Sequence, residues 1–167
     1  TGPSPHPTFF IEVNYASDGK PVLITANRFT LGSSKNALGV RTNRGVIWKN
    51  TFIGTIGTSY LNNASALRHK HGMTASWTTP AKWGADDTDG NQNLYFEANT
   101  LTNALEGIDV DDNARTVIRY NTFTNSAVAS HGADTSAWGG RYYECYGNTF
   151  IYDQTPLPGK DGELPVN

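Results

Sequence analysis

The chain has 167 residues, a formal net charge of −2 and 17% charged residues. This length suits one domain with a sizeable core, and the slight negative charge excludes the polycationic surface of a nucleic-acid-binding protein. No apolar run approaches the roughly 18 residues that a membrane-spanning helix needs. Because the chain starts at Thr1 rather than at Met, we expect a processed protein that is secreted or extracellular, or a fragment of one.

The two ends of the chain differ in composition from the part between them. Residues 1–21 begin with several prolines and are expected to be irregular, apart from a strand over 9–14 that would form a partial first coil. Residues 153–167 combine proline, glycine and charge, which predicts a polar tail or linker. The 22–152 region between them carries an internal repeat and is predicted to be the folded body.

The repeat is a short strand with alternating apolar positions, followed by Asn, a small or polar residue, and Phe or Leu. The recurring residues are Asn27, Asn50, Asn99, Asn121 and Asn148. They lie roughly 20 to 30 residues apart, with one interval about twice as long, and such a period of short strands indicates a solenoid. Each Asn is expected to tolerate a left-handed corner. Each should also bond to its equivalent about 4.8 Å away, as in a side-chain amide ladder.

Alternation along each strand predicts which side chains face the core. Three positions before the Asn residues stand Ile24, Ile47, Phe96, Ile118 and Cys145, and two positions after them stand Phe29, Phe52, Leu101, Phe123 and Phe150. Both sets are predicted to form buried columns, with Cys145 as a buried thiol. Two positions before the Asn residues stand the outward-facing Thr25, Trp48, Glu97, Arg119 and Tyr146.

A second strand is predicted in each of the first four repeats, over 38–41, 67–70, 108–111 and 128–131. Aligned by their apolar residues, these strands give two inward columns: Leu38, Leu67, Ile108, Val128, and Val40, His69, Val110, Ser130. The outward columns are then Gly39, Arg68, Asp109, Ala129, and Arg41, Lys70, Asp111, His131. The last column places cations, a carboxylate and an imidazole side by side. Such groups can transfer protons and stabilise charge in acid–base catalysis. A solvated face with cross-strand ion pairs is the alternative.

Further candidates surround this column. Asp109, Asp111 and Asp112 offer hard oxygen ligands of the kind that Ca²⁺ takes. An insertion over 72–90 follows Lys70 directly, and its Trp77 and Trp83 are predicted either to stack on sugar rings or to anchor the loop. Asp109 would contact the same substrate.

The repeat with its Asn corner resembles the right-handed parallel β-helix proteins of the pectate-lyase-like superfamily. The second half is also similar to uncharacterised secreted β-helix proteins, through the His131-Gly132-Ala133-Asp134 segment and the final strand 143–150. The resemblance implies an all-β fold, a right-handed parallel β-helix of about five coils with one long loop insertion. It does not identify the function, because this fold supports lyases, glycosidases, tailspikes and adhesins.

Two catalytic patterns of that superfamily are partly matched. Certain lyases of alginate-like or dermatan-like chains use a Lys and an Arg-His-Gly segment, and Arg68-His69-Lys70-His71-Gly72 is similar but differently spaced. Polygalacturonase-like glycosidases carry an Asp-Asp pair followed one coil later by Gly-His-Gly, which is similar to Asp111-Asp112 and Ser130-His131-Gly132. The Asn-Thr-Asp and Arg-Ile-Lys segments of those glycosidases are absent, and so is the Arg-x-Pro-x-x-Arg signature of pectate lyases.

These observations predict an extracellular protein that acts on an acidic polysaccharide, with a lyase favoured over a glycoside hydrolase. The predicted catalytic residues are Arg41, Arg68, Lys70, Asp111 and His131. The alternative is a non-catalytic adhesin, tailspike-like stalk or fibre subunit. A solenoid needs its ends covered, so we also expect a homo-oligomer, an end-to-end assembly or a capping domain outside this sequence.

Overall fold

The computed structural model describes residues 9–13, 21–31, 36–40, 44–54, 67–70, 93–104, 107–111, 114–130 and 142–152. All regular secondary structure in these ranges is β-strand, which confirms the predicted all-β class. No helix among them has the length and apolarity to cross a membrane. The predicted insertion over 72–90 and the predicted tail over 153–167 lie outside the described ranges.

The strands, numbered in chain order, fall into three sheets of five in the described part of the chain. Sheet 1 contains β1 (Phe9–Val13), β4 (Asn36–Val40), β7 (Leu67–Lys70), β10 (Ile108–Asp111) and β13 (Val128–Ser130). Sheet 2 contains β2 (Val22–Thr25), β5 (Gly45–Trp48), β8 (Leu94–Glu97), β11 (Arg115–Arg119) and β14 (Tyr142–Tyr146). Sheet 3 contains β3 (Arg28–Thr30), β6 (Thr51–Ile53), β9 (Thr100–Thr102), β12 (Thr122–Thr124) and β15 (Thr149–Ile151).

Every pairing between neighbouring strands is parallel, and each strand pairs with the strand three places along the chain. Parallel neighbours need a connection that returns the chain to the same end of the sheet. Here the intervening strands supply that connection by passing through the other two sheets. The arrangement is that of stacked parallel sheets and is compatible with a β-helix or solenoid.

Two columns of large apolar side chains fill the core, in the predicted register. Ile24, Ile47, Phe96, Ile118 and Cys145 are successive partners across sheet 2. Phe29, Phe52, Leu101, Phe123 and Phe150 are successive partners across sheet 3. Phe29 stacks on Phe52 at a ring-centroid distance of 5.0 Å, and Phe123 stacks on Phe150 at 4.8 Å. The alternation of apolar residues therefore fixes both strand register and core composition.

The prediction that Cys145 is buried is wrong. Its strand, β14, is at the edge of sheet 2, so among the described strands it has a partner on one side only. The residue is consequently exposed, although it belongs to the inward column. Partial desolvation raises the pKa of the thiol, and a hydrogen bond from Asn148 Nδ2 to its Sγ, 3.3 Å long, opposes that rise.

The repeated Asn residues form the predicted amide ladder. In Asn99, the backbone N–H and the side-chain Nδ2 both donate to Oδ1 of Asn121, at 2.9 and 3.2 Å. The same Nδ2 donates to the carbonyl of Ile47 at 2.9 Å. The pattern recurs from Asn27 through Asn148. Since three of these side chains are only 1% exposed, the ladder satisfies polar groups that water does not reach.

The left-handed residue at each corner is not the Asn itself but the residue before it, which corrects the expectation. The φ values are 57° at Ala26, 54° at Lys49, 53° at Ala98, 58° at Tyr120 and 62° at Gly147. The Asn that follows directs its side chain along the stack, and the ladder bonds offset the cost of about 1–2 kcal/mol for each non-glycine residue in this conformation.

A second corner follows sheet 3 and uses Asn differently. Asn103 and Asn125 are themselves left-handed, with φ values of 56° and 48°, and Asn125 Nδ2 donates to Asn103 Oδ1 at 3.1 Å. Beside them, the Ser126 hydroxyl accepts from the N–H of Ala104 and donates to the carbonyl of Thr124. The described chain thus has polar ladders at both ends of the sheet 3 strands: one before the strands begin and one after they end.

Candidate functional site

The backbone register of sheet 1 is the one that the predicted mixed-charge column requires. Lys70 is the partner of Asp111, and Arg68 is the partner of Asp109, on the neighbouring strands β7 and β10. On the opposite edge of β7, Arg68 pairs with Gly39 of β4. Residues paired in this way lie about 4.8 Å apart between strands, so a cationic and an acidic residue occupy adjacent positions twice.

The apolar positions of the same strands also pair in the register predicted from the sequence. Leu38, Val40, Ile108 and Val110 are all fully buried, and they pair with Leu67, His69, Val128 and Ser130 as predicted. Lys70 and Asp111 each directly follow one of these inward positions. Alternation in the sequence predicts that both face outward from sheet 1.

The remaining predicted residues of the site cannot be located in the same way. Arg41, Trp77, Trp83, Asp112 and His131 lie outside the described residues. Their roles as acid, base, sugar platform or metal ligand stay predictions. The structure brings together Lys70 with Asp111 and Arg68 with Asp109, at the level of paired backbone positions.

Asp109 occupies an outward position between two inward residues, yet its side chain is only 1% exposed. An outward position on this strand is therefore not the same as an open one, which corrects the expectation of a solvent-facing carboxylate. A buried carboxylate needs polar partners, and Asp109 has an interaction partner in the structure. Its predicted contact with substrate or Ca²⁺ would require the surrounding groups to separate.

No group of three His, Cys, Asp or Glu side chains that could hold a metal ion occurs among the described residues. Of the predicted calcium ligands, Asp112 lies outside those residues. For Asp111 the structure gives the backbone pairing with Lys70. The calcium site at Asp109, Asp111 and Asp112 therefore remains a prediction.

A second surface stands out on the outward side of sheet 2. Arg119 Nε donates to Glu97 Oε2 at 2.6 Å, and its Nη1 donates to the Tyr146 hydroxyl at 3.0 Å. The Tyr146 hydrogen bond is the largest of the effects that raise the pKa of this guanidinium further, with Glu97 adding to it. The guanidinium also lies 4.9 Å from the ring centre of Tyr95 and 5.8 Å from that of Tyr120.

Several aromatic rings on this side of sheet 2 remain open to solvent. Tyr120 is 61% exposed, Tyr146 is 40% exposed and Trp48 is 38% exposed. Tyr120 and Tyr146 meet edge to face, with ring centroids 5.8 Å apart, and Lys49 Nζ lies 4.2 Å over the Trp48 ring. We call this surface the aromatic face, defined by Trp48, Lys49, Tyr95, Glu97, Arg119, Tyr120 and Tyr146.

Sequence reasoning placed Trp48, Glu97, Arg119 and Tyr146 on the outward side but assigned them no role. A usable signal was present, since aromatic and charged residues recur at the two positions before the ladder Asn. Tyr120 was missed because its exposure depends on the left-handed corner, which was assigned to the following Asn.

No family model, no curated protein and no solved structure matches this chain. The evidence on function therefore comes from the chain itself.

Proposed function

We propose that this protein is an extracellular, polysaccharide-acting member of the right-handed parallel β-helix class, of the pectate-lyase-like type, and that sheet 1 carries its site. The observation that supports this is the pairing of Lys70 with Asp111 on adjacent parallel strands. A polymer lying across such strands meets one chemical group per strand, and here a cationic residue is followed by an acidic one on the next strand.

The favoured reaction is β-elimination on an acidic polysaccharide. A cation, Arg41 or Arg68, neutralises the uronate carboxylate. A base, Lys70 or His131, removes the proton next to that carboxylate, the glycosidic C–O bond breaks, and a carbon–carbon double bond forms. The departing oxygen takes a proton from the other of these two residues.

The experiment is a screen of soluble acidic and neutral polysaccharides, with detection of unsaturated uronate ends and of new reducing ends. Unsaturated ends are expected on a uronate polymer. Lys70→Ala and His131→Ala should each reduce turnover by about 10²–10⁴-fold, the usual contribution of a positioned acid or base, with an unchanged melting temperature. Reducing ends without unsaturation would instead indicate hydrolysis, in which Asp111 and Asp112 would be the catalytic pair.

A second candidate function is non-catalytic assembly, and the exposed edge strand β15 favours it. On β15, Phe150 and Ile151 are 39% and 46% exposed, while the equivalent Phe29 of β3 is buried. Apolar positions at a sheet edge are suited to contact with another chain. If assembly is the function, sedimentation should show concentration-dependent association that Phe150→Glu abolishes, and no polysaccharide should be cleaved.

A further inference from the structure

We propose that the aromatic face of sheet 2 is a separate binding surface for the uncharged sugar rings of a polysaccharide chain. It belongs to a different sheet from the Lys70–Asp111 pair, so the inference does not depend on the reaction proposed above.

The first argument is the fixed position of Arg119. Its hydrogen bonds to Glu97 and Tyr146 tie together three neighbouring strands, β8, β11 and β14. The guanidinium and the carboxylate are partly open, with side-chain exposures of 30% and 22%. A planar donor fork beside a carboxylate acceptor is preorganised to bind adjacent hydroxyl groups at low entropic cost.

The second argument is the arrangement of the rings. Tyr120 and Tyr146 come from neighbouring strands or corners and meet at an interplanar angle of 87°. Flat aromatic surfaces beside hydrogen-bonding groups suit pyranose rings, which have apolar faces and hydroxyl edges. The spacing of about 4.8 Å between strands repeats along the stack, which favours a ligand that also repeats.

The third argument is charge. The cation at the centre of the aromatic face, Arg119, already has an ion-pair partner, because its Nε lies 2.6 Å from Glu97 Oε2. A carboxylate in that position repels an anionic group that approaches the guanidinium. Uncharged sugar rings therefore fit this pair better than a nucleic acid or a uronate-rich segment does.

Affinity gel electrophoresis tests the proposal, with hydroxyethyl cellulose, a soluble mannan and polygalacturonate cast separately into native gels. At least one neutral polymer should retard the parent protein. Tyr120→Ala and Tyr146→Ala should each weaken that retardation by about three- to tenfold, the effect expected from loss of one stacked ring. Tyr152→Ala is the control matched to Tyr146→Ala, because it removes a tyrosine of similar exposure, 42% against 40%, outside the aromatic face, and it should behave like the parent.

Arg119→Lys supplies a variant that keeps the charge but loses the planar fork. It should also weaken retardation while leaving the far-ultraviolet circular dichroism unchanged. Three results would overturn the proposal: no retardation by either neutral polymer, an equal loss in Tyr152→Ala, or sedimentation showing that Tyr120→Ala disrupts self-association instead. Cleavage of a polysaccharide should survive Tyr120→Ala, so failure here and failure of the proposed reaction are distinguishable.

Discussion

Each buried Asn of the ladder serves several polar groups at once. Asn99 Oδ1 accepts from the backbone N–H of Asn50 at 2.8 Å and from Asn50 Nδ2 at 3.1 Å, while Asn99 Nδ2 serves the Ile47 carbonyl. These partners have no access to bulk water, since Asn50 and Asn99 are each only 1% exposed. Removing one side chain therefore leaves several groups unsatisfied.

Asn99→Ala should lower the free energy of unfolding by about 3 kcal/mol or more, because a buried donor or acceptor left without its partner costs roughly 1–3 kcal/mol. Urea denaturation measures this. The control is Asn27→Ala, at the exposed end of the ladder, where the loss should be about 1 kcal/mol. Equal losses in the two variants would contradict the account of the ladder.

The thiol of Cys145 should be accessible but poorly ionised. Desolvation raises its pKa, and the hydrogen bond from Asn148 offsets only part of the rise. At any pH below that pKa, the thiolate fraction is then smaller than in a free thiol. Alkylation by iodoacetamide, followed against pH, should show a midpoint above that of N-acetylcysteine amide. A midpoint at or below the reference would mean that the thiol is activated.

At the level of single residues, the ladder was predictable because one residue type recurs at one offset. The left-handed residue before it was not, because Ala26, Lys49, Ala98 and Tyr120 share no property that marks a left-handed preference. Their conformation follows from the bonds that the next residue makes, as at Ala98, where Asn99 N–H and Nδ2 both engage Asn121. Tertiary structure, not local propensity, sets this corner.

At the level of strands, the parallel register positions both the core and the candidate sites. Moving one strand by a single residue would turn its inward side chains outward. The register was predictable because apolar residues occupy alternate positions and Asn ends each motif, as in β5 and β8. The sequence of 72–90 lacks this periodicity, so Trp77 and Trp83 could be named but not aligned.

Phe123→Ala should cost about 3–5 kcal/mol of stability, the usual result of removing a buried aromatic ring. Phe123 is fully buried in the sheet 3 column. Phe150→Ala, in the same column on the edge strand β15, should cost clearly less because that ring is already 39% exposed. Denaturant titration of the two variants measures the difference. A loss below about 1 kcal/mol for Phe123→Ala would place that residue outside the core.

For the whole molecule, stacking converts short sequence motifs into long surfaces. Sheet 1 aligns oppositely charged residues, sheet 2 aligns aromatic residues around Arg119, and the aligned Asn side chains hold the strands in register between sheets 2 and 3. Each strand contacts mainly its neighbours in the stack, so an altered surface residue should leave the rest of the fold intact. Function can therefore be tested by substitution on either face without loss of the core.

The most direct test of the central claim is the energetic coupling between Lys70 and Asp111 in polysaccharide binding. Affinity is measured for the parent, Lys70→Ala, Asp111→Asn and the double variant, on the polymer identified by the screen. Because the two residues are partners on adjacent strands, their effects should be non-additive by about 0.5–3 kcal/mol. Effects that add to within about 0.5 kcal/mol, or affinity that neither substitution changes, would contradict a shared site on sheet 1.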